Sequence, residues 1–349
     1  MDKYFSFQWH ITDNCDQCCE HCYIFSKDNN IPLVEMSWDN MLSVLKNCED
    51  MCNKLNRIPY FYITGGDPIL HNNFWQLLEL LKIKSIDFSI MGNPFHLTDE
   101  VCKRLKEYGC ERYQLSIDGL QETHDQIRKK GSFSTTLEKI DCINKSGIRS
   151  VIMTTVSGTN ITQIPDIIDL AVSHQVKIFA FARYCPTCFD TTSNINSKEQ
   201  HIDPAQYRQL LEKCWLRFEQ YKDSDTRFNL KDHLWKLYLY EKGLFTIPDG
   251  LDEKIIYDGC NCGISHLTII PNGDIYACRR MDSIVGNVFT DNLADVFLSE
   301  KMDKYRSYEV FEKCSKCELL RFCRGCPAVA YGYTQNPYSA DPQCWKAIA

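Results

Sequence analysis

Phe5-Ser-Phe-Gln-Trp-His-Ile11 is followed within a few residues by Cys15-Asp-Gln-Cys-Cys19-Glu-His-Cys22-Tyr23. A β-rich run that ends in a chemically loaded loop sets the pattern for the first half of the chain. Further strand candidates are Tyr60–Thr64, Asp87–Met91, Arg112–Ile117, Val151–Val156 and Lys177–Phe181. The stretches between them have helical spacing, as at Met41, Leu45, Cys48, Met51, Cys52 and Leu55, or at Phe74, Leu77, Leu78 and Leu81. Ser37, Thr98 and Ser134 precede three of these stretches as N-caps. Six strand–helix units in strict alternation imply an α/β fold with a parallel sheet and right-handed crossovers. Six units fall short of the eight that close a barrel, so a partial (β/α)6 TIM-like barrel is expected over residues 1–189, with its chemistry at the C-terminal strand ends.

A helical linker or insertion is expected over 190–258. Within it Thr191–Ser197 reads as a polar loop, and Pro204–Gln220 and Asp232–Lys242 as helices. Residues 259–349 form a small cysteine-rich domain with a β-hairpin. Its arms are His266–Ile270 and Ile275–Cys278, and Asn272-Gly273 supplies the positive φ of the turn.

Composition narrows the function classes. The 349 residues are 44% hydrophobic and 24% charged, which excludes a disordered chain. Thirty-nine basic against 46 acidic residues give a net charge of −7, so no broad cationic face serves nucleic acid. No apolar run reaches the roughly 18 residues of a membrane span, and Met1–Phe7 lacks the apolar region of a secretory signal. A cytoplasmic location is the expectation. Twenty cysteines in a reducing compartment then read as metal ligands rather than disulfides.

The C-x3-C-x2-C of Cys15, Cys19 and Cys22 can wrap three thiolates around one cubane cluster. One iron is then left open to a substrate or cofactor. Cys18 breaks neither spacing and reads as a bystander. Zinc would demand a fourth ligand, and none follows at suitable local spacing. Gly65-Gly66-Asp67-Pro68 follows strand two, where two glycines let backbone approach a ligand closely. Ser116-Ile-Asp118-Gly119 ends strand four and leads to His124, Asp125 and Arg128. Ser116 can hydrogen-bond a ribose hydroxyl and Arg128 can pair bidentately with a carboxylate, while His124 and Asp125 order the loop. After strand six, Cys185 and Cys188 form a C-x2-C. It reads as a metal pair, as reactive thiols facing substrate, or as buried structural residues. The tail carries Cys260-Asn-Cys262, Gly273-x4-Cys278, Cys314-x2-Cys317-x5-Cys323-x2-Cys326 and Cys344. A zinc ribbon is the plain alternative, but the inner gap is short for a ribbon and further cysteines flank the block. Cys48, Cys52, Cys102, Cys110, Cys142 and Cys214 read as small buried hydrophobes.

Taken together these motifs resemble a radical SAM enzyme with a C-terminal SPASM domain, of the peptide- or protein-maturase type. The resemblance implies that Cys15, Cys19 and Cys22 hold a [4Fe–4S] cluster whose open iron is chelated by S-adenosylmethionine (SAM). Tyr23 matches the aromatic residue beside the last cysteine, and His21 lies where backbone meets the adenine. Gly65, Gly66 and Asp67 stand where the family has Gly-Gly-Glu, against the methionine ammonium. Ser116 meets the ribose, Arg128 the methionine carboxylate, and Asp118 belongs with these SAM contacts. Cys188 takes a Gly position that lines the adenine. The tail, by the same resemblance, holds two auxiliary [4Fe–4S] clusters, one on Cys260, Cys262, Cys278 and Cys326 and the other on Cys314, Cys317, Cys323 and Cys344. Two departures, C-x2-C in place of C-x3-C and a leading pair only two residues apart, bear on that split.

The activity implied is reductive cleavage of SAM to a 5′-deoxyadenosyl radical that removes a substrate hydrogen, with a flavodoxin- or ferredoxin-type protein as reductant. The auxiliary clusters would take up a second electron, bind the substrate or relay electrons inward. The expected substrate is a ribosomally made precursor peptide, and the products a thioether, a carbon–carbon crosslink or an epimer. Gln8-Trp-His-Ile-Thr-Asp13 resembles the lead-in of maturases of Cys-repeat peptides. Sulfatase maturases carry an Asp base directly after the hairpin cysteine, where this chain has Arg279. No catalytic residue is assigned. Cys15 comes too early for a leader-binding winged helix, so leader recognition would fall to a separate protein, to the 190–258 segment or to another surface. The alternatives are a radical SAM dehydrogenase of a small molecule, a sulfatase-maturase-like enzyme and a zinc-stabilised interaction protein.

Overall fold

Alternation along the first strand decides which face of the sheet meets the helices. A computed structural model describes residues 3–22, 24, 33–186, 200–252 and 254–347. In β1 (Tyr4–Thr12) Phe5, Phe7, Trp9 and Ile11 are wholly buried, whereas Ser6 and Gln8 on the other face are only half-buried. Helix α1 (Trp38–Lys54) covers the apolar face with Met41, Val44, Leu45, Cys48, Met51 and Cys52.

The alternation then repeats through β2 (Ile58–Gly65), α2 (Phe74–Ile83), β3 (Phe88–Met91), α3 (Asp99–Glu107) and β4 (Arg112–Ser116). It continues with α4 (Gln121–Ile127), α5 (Ser132–Lys145), β5 (Arg149–Val156), α6 (Ile164–Ser173) and β6 (Ile178–Arg183). Strands β1 to β6 pair with their sequence neighbours, all parallel. The six strands lie where the hydrophobic runs place them. Ser37 and Thr98 cap their helices, each accepting a backbone N–H at 3.2 Å. Ser134 does not. Helix α5 starts two residues earlier, behind Gly131 (φ +83°), because the Asp125 carboxylate takes the Gly131 and Phe133 N–H groups, each at 2.8 Å. The Ser134 hydroxyl turns back on the Gly131 carbonyl instead.

Two features extend the sheet beyond those six strands. After α7 (Pro204–Gln220) a three-residue strand, β7 (Arg227–Asn229), adds parallel to β6, and α8 (Leu234–Glu241) follows. Arg-Phe-Asn has no apolar run to announce a strand. Its Phe228 is fixed by stacking on Phe218, with ring centroids 4.3 Å apart. The tail hairpin, β8 (His266–Ile269) and β9 (Asp274–Tyr276), turns at Gly273 (φ +90°) and is joined by β10 (Ile284–Asn287). Strand β8 also lies parallel along β1, from Ser6 opposite His266 to Trp9 opposite Ile269. Among the described residues ten strands therefore make one sheet, ordered β10-β9-β8-β1-β2-β3-β4-β5-β6-β7. The tail ends with α9 (Leu293–Phe297), α10 (Glu300–Asp303) and α11 (Pro327–Thr334). Phe297 of α9 meets Phe5 edge-on at 5.0 Å, and Lys54 of α1 pairs with Asp295 at 2.9 Å. The main apolar core runs from Phe5 in β1 to Leu319 and Cys323 in the tail, and a smaller one gathers Cys185, Met281, Cys326, Ala328 and Val329. Among the described residues no helix is long and apolar enough to cross a membrane.

Candidate active site

The cysteine loop is held from below by the end of β2. Gly66 N–H donates to the Thr12 carbonyl and Asp67 N–H to the Asn14 carbonyl, both at 2.7 Å. A Cβ on Gly65 would lie 2.1 Å from Thr12 O, and one on Gly66 2.2 Å from Asn14 O, so only glycine lets these two backbones meet. The close approach expected from this pair is thus made in part to the chain's own cysteine loop.

Within the loop each motif thiol faces an N–H donor. Cys15 Sγ receives Gln17 N–H at 3.5 Å and Asn93 Nδ2 at 3.8 Å. Cys19 Sγ receives Arg128 Nη1 at 3.5 Å, and Cys22 Sγ receives Ile24 N–H at 3.5 Å. Donors aimed at sulfur are what an iron–sulfur site requires. Cys18 differs: it is exposed, sits at φ +49° and donates to the Cys15 carbonyl. Burial pushes the Cys19 thiol up to about 11, against the pull of Arg128. A metal that takes the thiolate reverses that burden.

The strand-four motif backs the loop. Asp118 is fully buried, and its carboxylate accepts Arg128 Nε at 2.6 Å and Thr155 N–H at 2.7 Å, with His21 Nε2 at 3.6 Å. Burial raises Asp118, but Arg128 and then His21 outweigh it and hold the carboxyl below its ordinary range. His124 takes Asp118 N–H on Nδ1 and meets Ser132 Oγ at 3.1 Å, while Gln17 donates to the same hydroxyl at 2.7 Å. Burial pushes His124 down to about 4, so it is a neutral strut between the cysteine loop and Asp118. Ser116 is half-buried at the end of β4. Tyr23 and Cys188 lie outside the described residues.

Asp67 is the strongest sign of a missing partner. It is wholly buried, and neither carboxylate oxygen has a well-aligned hydrogen-bond partner. Burial and then Asp16 push it up to about 7, only partly offset by the nearby Asn93 and Ile69 N–H groups. A buried carboxylate left this way beside the cysteine loop fits a cationic ammonium. Asp16 Oδ1 accepts from Asn93 at 2.8 Å, and its Oδ2 meets His96 at 2.9 Å. Asp16 lies inside the cysteine motif without being one of its thiols, and Asn93 and His96 carry no motif; only the turn Gly92-Asn93-Pro94 after β3 signals a strand-end site there.

In the tail the thiols gather in two sets. Cys314, Cys317, Cys323 and Cys344 line one open recess, flanked by Lys313 and Lys346. Cys260, Cys262 and Cys278 are joined by hydrogen bonds through Cys262, which hold Cys260 and Cys278 below the usual thiol range. His233 hydrogen-bonds Cys260. Cys326 adjoins this second set and receives Arg280 Nη2 at 3.6 Å. A hydrogen bond from Cys185, with help from Arg280, pulls Cys326 down to about 6. The sequence analysis did not single out His233 and Arg280 as partners of these thiols.

Comparison with known proteins agrees with this geometry. The Radical SAM superfamily model matches residues 9–171, and the iron–sulfur cluster-binding SPASM model matches residues 260–327. The chain is a radical SAM enzyme with a SPASM domain. It is 26% identical over 343 residues to the AdoMet-dependent heme synthase of Nitratidesulfovibrio vulgaris, covering 96% of this chain and 90% of that protein. It is 25% identical over 371 residues to mycofactocin maturase MftC of Mycolicibacterium smegmatis, covering 100% of this chain and 85% of that protein. The fold is shared with Streptococcus suis SuiB bound to precursor peptide SuiA, at TM-score 0.75 and 20% identity over 98% of this chain and 76% of that one. It is also shared with anSMEcpe bound to AdoMet and the Cp18Cys peptide, at TM-score 0.73 and 19% identity over 97% and 93%. The two domains carry a SAM-binding [4Fe–4S] cluster and auxiliary iron–sulfur clusters.

Proposed function

We propose that this radical SAM–SPASM enzyme is a peptide maturase that oxidatively modifies a ribosomally made precursor, forming a thioether, a carbon–carbon crosslink or an epimer. The observation that carries the reading is the end-to-end likeness to mycofactocin maturase, which spans 100% of this chain. Ser6, Gln8, Tyr62, Gln114, Ser116 and Met153, on the strand face away from the helices, stay half-exposed among buried neighbours.

In this reading Cys15, Cys19 and Cys22 hold the first cluster, and Gly65, Gly66, Asp67, Ser116, Arg128, His21, Tyr23 and Cys188 surround SAM, with Asp118 fixing Arg128. Bound there, SAM and its cluster would supply one-electron chemistry for removing hydrogen from the substrate. The chain's own task is to keep Arg128 charged beside Cys19, to hold Asp67 ready for an ammonium, and to exclude water from the strand ends. Cys260, Cys262, Cys278 and Cys326 hold one auxiliary centre, and Cys314, Cys317, Cys323 and Cys344 the other. A flavodoxin- or ferredoxin-type protein delivers the electron, and a separate protein or the 190–258 segment recognises the leader. Arg279 after the hairpin cysteine disfavours a sulfatase-maturase reaction.

The likeness to a heme synthase favours a small-molecule substrate as the second reading. Co-expression with the peptide encoded beside the gene, followed by mass spectrometry, separates the two. Loss of two hydrogens from the peptide, or an epimer without mass change, supports maturation. An untouched peptide, with SAM cleavage that is indifferent to it, overturns that reading.

A further inference from the structure

Asp67 has two oxygens to satisfy, and an ammonium on one leaves the other unmatched. Beside it, one donor atom each from Asp16, Asp67 and His96 lie within 4.8 Å of one another. The three residues come from three strand ends: Asp16 from the loop after β1, Asp67 after β2 and His96 from the turn after β3. They are fastened from outside the cluster. Asn93 Nδ2 donates to Asp16 Oδ1 at 2.8 Å, and Lys129 Nζ donates to the Asp16 carbonyl at 2.9 Å. Asn93 is itself fixed, its Oδ1 accepting Phe95 N–H at 3.1 Å and its carbonyl the Tyr113 hydroxyl at 3.3 Å. A Cβ on Gly92 would lie 2.8 Å from Asp67 Oδ1, so the bare backbone after β3 is what admits that carboxylate. Acids gathered on a surface need no ion. Asp67 is different, because it is 0% exposed and has no well-aligned hydrogen-bond partner on either oxygen. Among the described residues neither it nor the Asp16 carboxylate has a lysine or arginine partner; Asp16 has only His96 Nε2, at 2.9 Å. Two carboxylates this close call for a cation between them.

We propose that Asp16, Asp67 and His96 hold a divalent metal ion of the Mn²⁺ or Zn²⁺ class, separate from the iron of the clusters. The charge selects a divalent ion, since two carboxylates with a neutral imidazole are balanced by one such cation, whereas a monovalent one leaves a negative charge buried. The donor set selects the class. Ca²⁺ and Mg²⁺ favour oxygen throughout, while an imidazole beside two carboxylates suits Mn²⁺ and Zn²⁺. An ion can enter from solvent, because the His96 and Asp16 side chains are 37% and 36% exposed on the side away from Asp67. Bound there, it replaces the hydrogen bond between His96 and Asp16 and leaves the second Asp67 oxygen for the ammonium. It ties the residue after Cys15 to the ends of β2 and β3, and so fixes one end of the cysteine loop.

The test uses the cluster-loaded enzyme without SAM, desalted anaerobically from a chelator and titrated with Mn²⁺, whose free signal in electron paramagnetic resonance disappears on binding. Wild type is expected to take up about one Mn²⁺ per chain, released by equimolar Zn²⁺ and not by equimolar Ca²⁺. Asp16→Asn and His96→Gln are each expected to bind it at least about tenfold more weakly. Both should keep about twelve iron per chain, which separates loss of the ion from loss of the fold. Because Asp16 follows Cys15 directly, bound Mn²⁺ should also speed the relaxation of the reduced first cluster in wild type and in neither variant. If wild type binds no Mn²⁺, if either variant binds it as tightly as wild type, or if Ca²⁺ releases it as readily as Zn²⁺, the proposal is overturned. None of these outcomes involves the substrate, so the maturase reading stands or falls separately.

Discussion

Replacing Arg183 by methionine takes one cation from between two buried carboxylates. In the native protein Arg183 Nε donates to Asp232 at 2.9 Å, Nη1 to Asp341 at 2.6 Å and to Gln343 at 2.9 Å, and Nη2 to Asp341 at 2.8 Å. The three charged side chains are 1%, 4% and 2% exposed, so water cannot replace the guanidinium. Methionine fills most of the space and leaves the two acids uncompensated. Removing one partner from a buried pair costs about 3–5 kcal/mol. Asp341 retains the Cys326 N–H and Asp232 the Leu234 N–H, which places the expected loss near the lower end, at about 3 kcal/mol at pH 7. The pH dependence has a fixed sign. Burial raises Asp232 but Arg183 outweighs it, so its folded value is depressed. Its stabilising contribution is therefore present above the ordinary carboxylate value of about 4 and is lost as pH falls through the depressed one. In Arg183→Met the largest force opposing burial is gone and only His233 and the Leu234 N–H remain against it, so the value rises and the cost grows as pH climbs past it. The gap between the two proteins should widen from pH 5 to 8 in anaerobic urea unfolding followed by tryptophan fluorescence. A variant within about 1 kcal/mol of wild type, with no widening, would refute the reasoning.

Single alanines at Cys15, Cys19 or Cys22 are expected to remove about a third of the iron and to stop 5′-deoxyadenosine formation, whereas Cys18→Ala keeps both; iron analysis and chromatography of the SAM products check this. Asp67→Asn is expected to stabilise the cluster-free protein, because a carboxyl raised to about 7 is a cost that accumulates as pH rises from about 4 to 7, up to about 4 kcal/mol. Melting curves of the two proteins should coincide near pH 4 and separate toward pH 7; parallel curves would contradict it. A fragment of residues 1–258 loses β8 from β1 and Phe297 from Phe5, and each buried Phe so exposed forfeits about 1.5–3 kcal/mol. It is expected not to unfold cooperatively, and a sharp urea transition with an intact first cluster would show otherwise.

The fold was legible wherever one periodicity held for a whole element. The odd positions of β1 and the apolar stripe of α1 are buried as their spacing predicts. Helix ends were legible where the cap is the residue's only local option, as at Ser37 and Thr98. Ser134 misled because the side chain that starts α5 is Asp125, seven residues before the helix begins, and local spacing cannot register a cap reached across a turn. Strand β7 was invisible for a related reason: three residues with one apolar side chain owe their conformation to Phe218 and β6. The hairpin itself was readable from Pro-Asn-Gly-Asp, but its parallel union with β1 was not, since nothing in β8 marks which strand it will join. The site divides the same way. Cysteine spacing announces the thiols, whereas Asn93, His233 and Arg280 become partners of sulfur only through the fold.

That β8–β1 union changes what the tail does. A domain tethered by a loop would leave its thiols free to wander relative to the cysteine loop. Here the tail grips the barrel at two separated places in the sheet. At one, β8 continues it past β1, the strand that carries Cys15, Cys19 and Cys22 at its end. At the other, Arg183 and Asp341 tie the Cys326 backbone to the end of β6. Both grips sit on paired strands, which hold position better than loops. The separation between the first cysteine loop and the auxiliary thiols is therefore set by strand geometry.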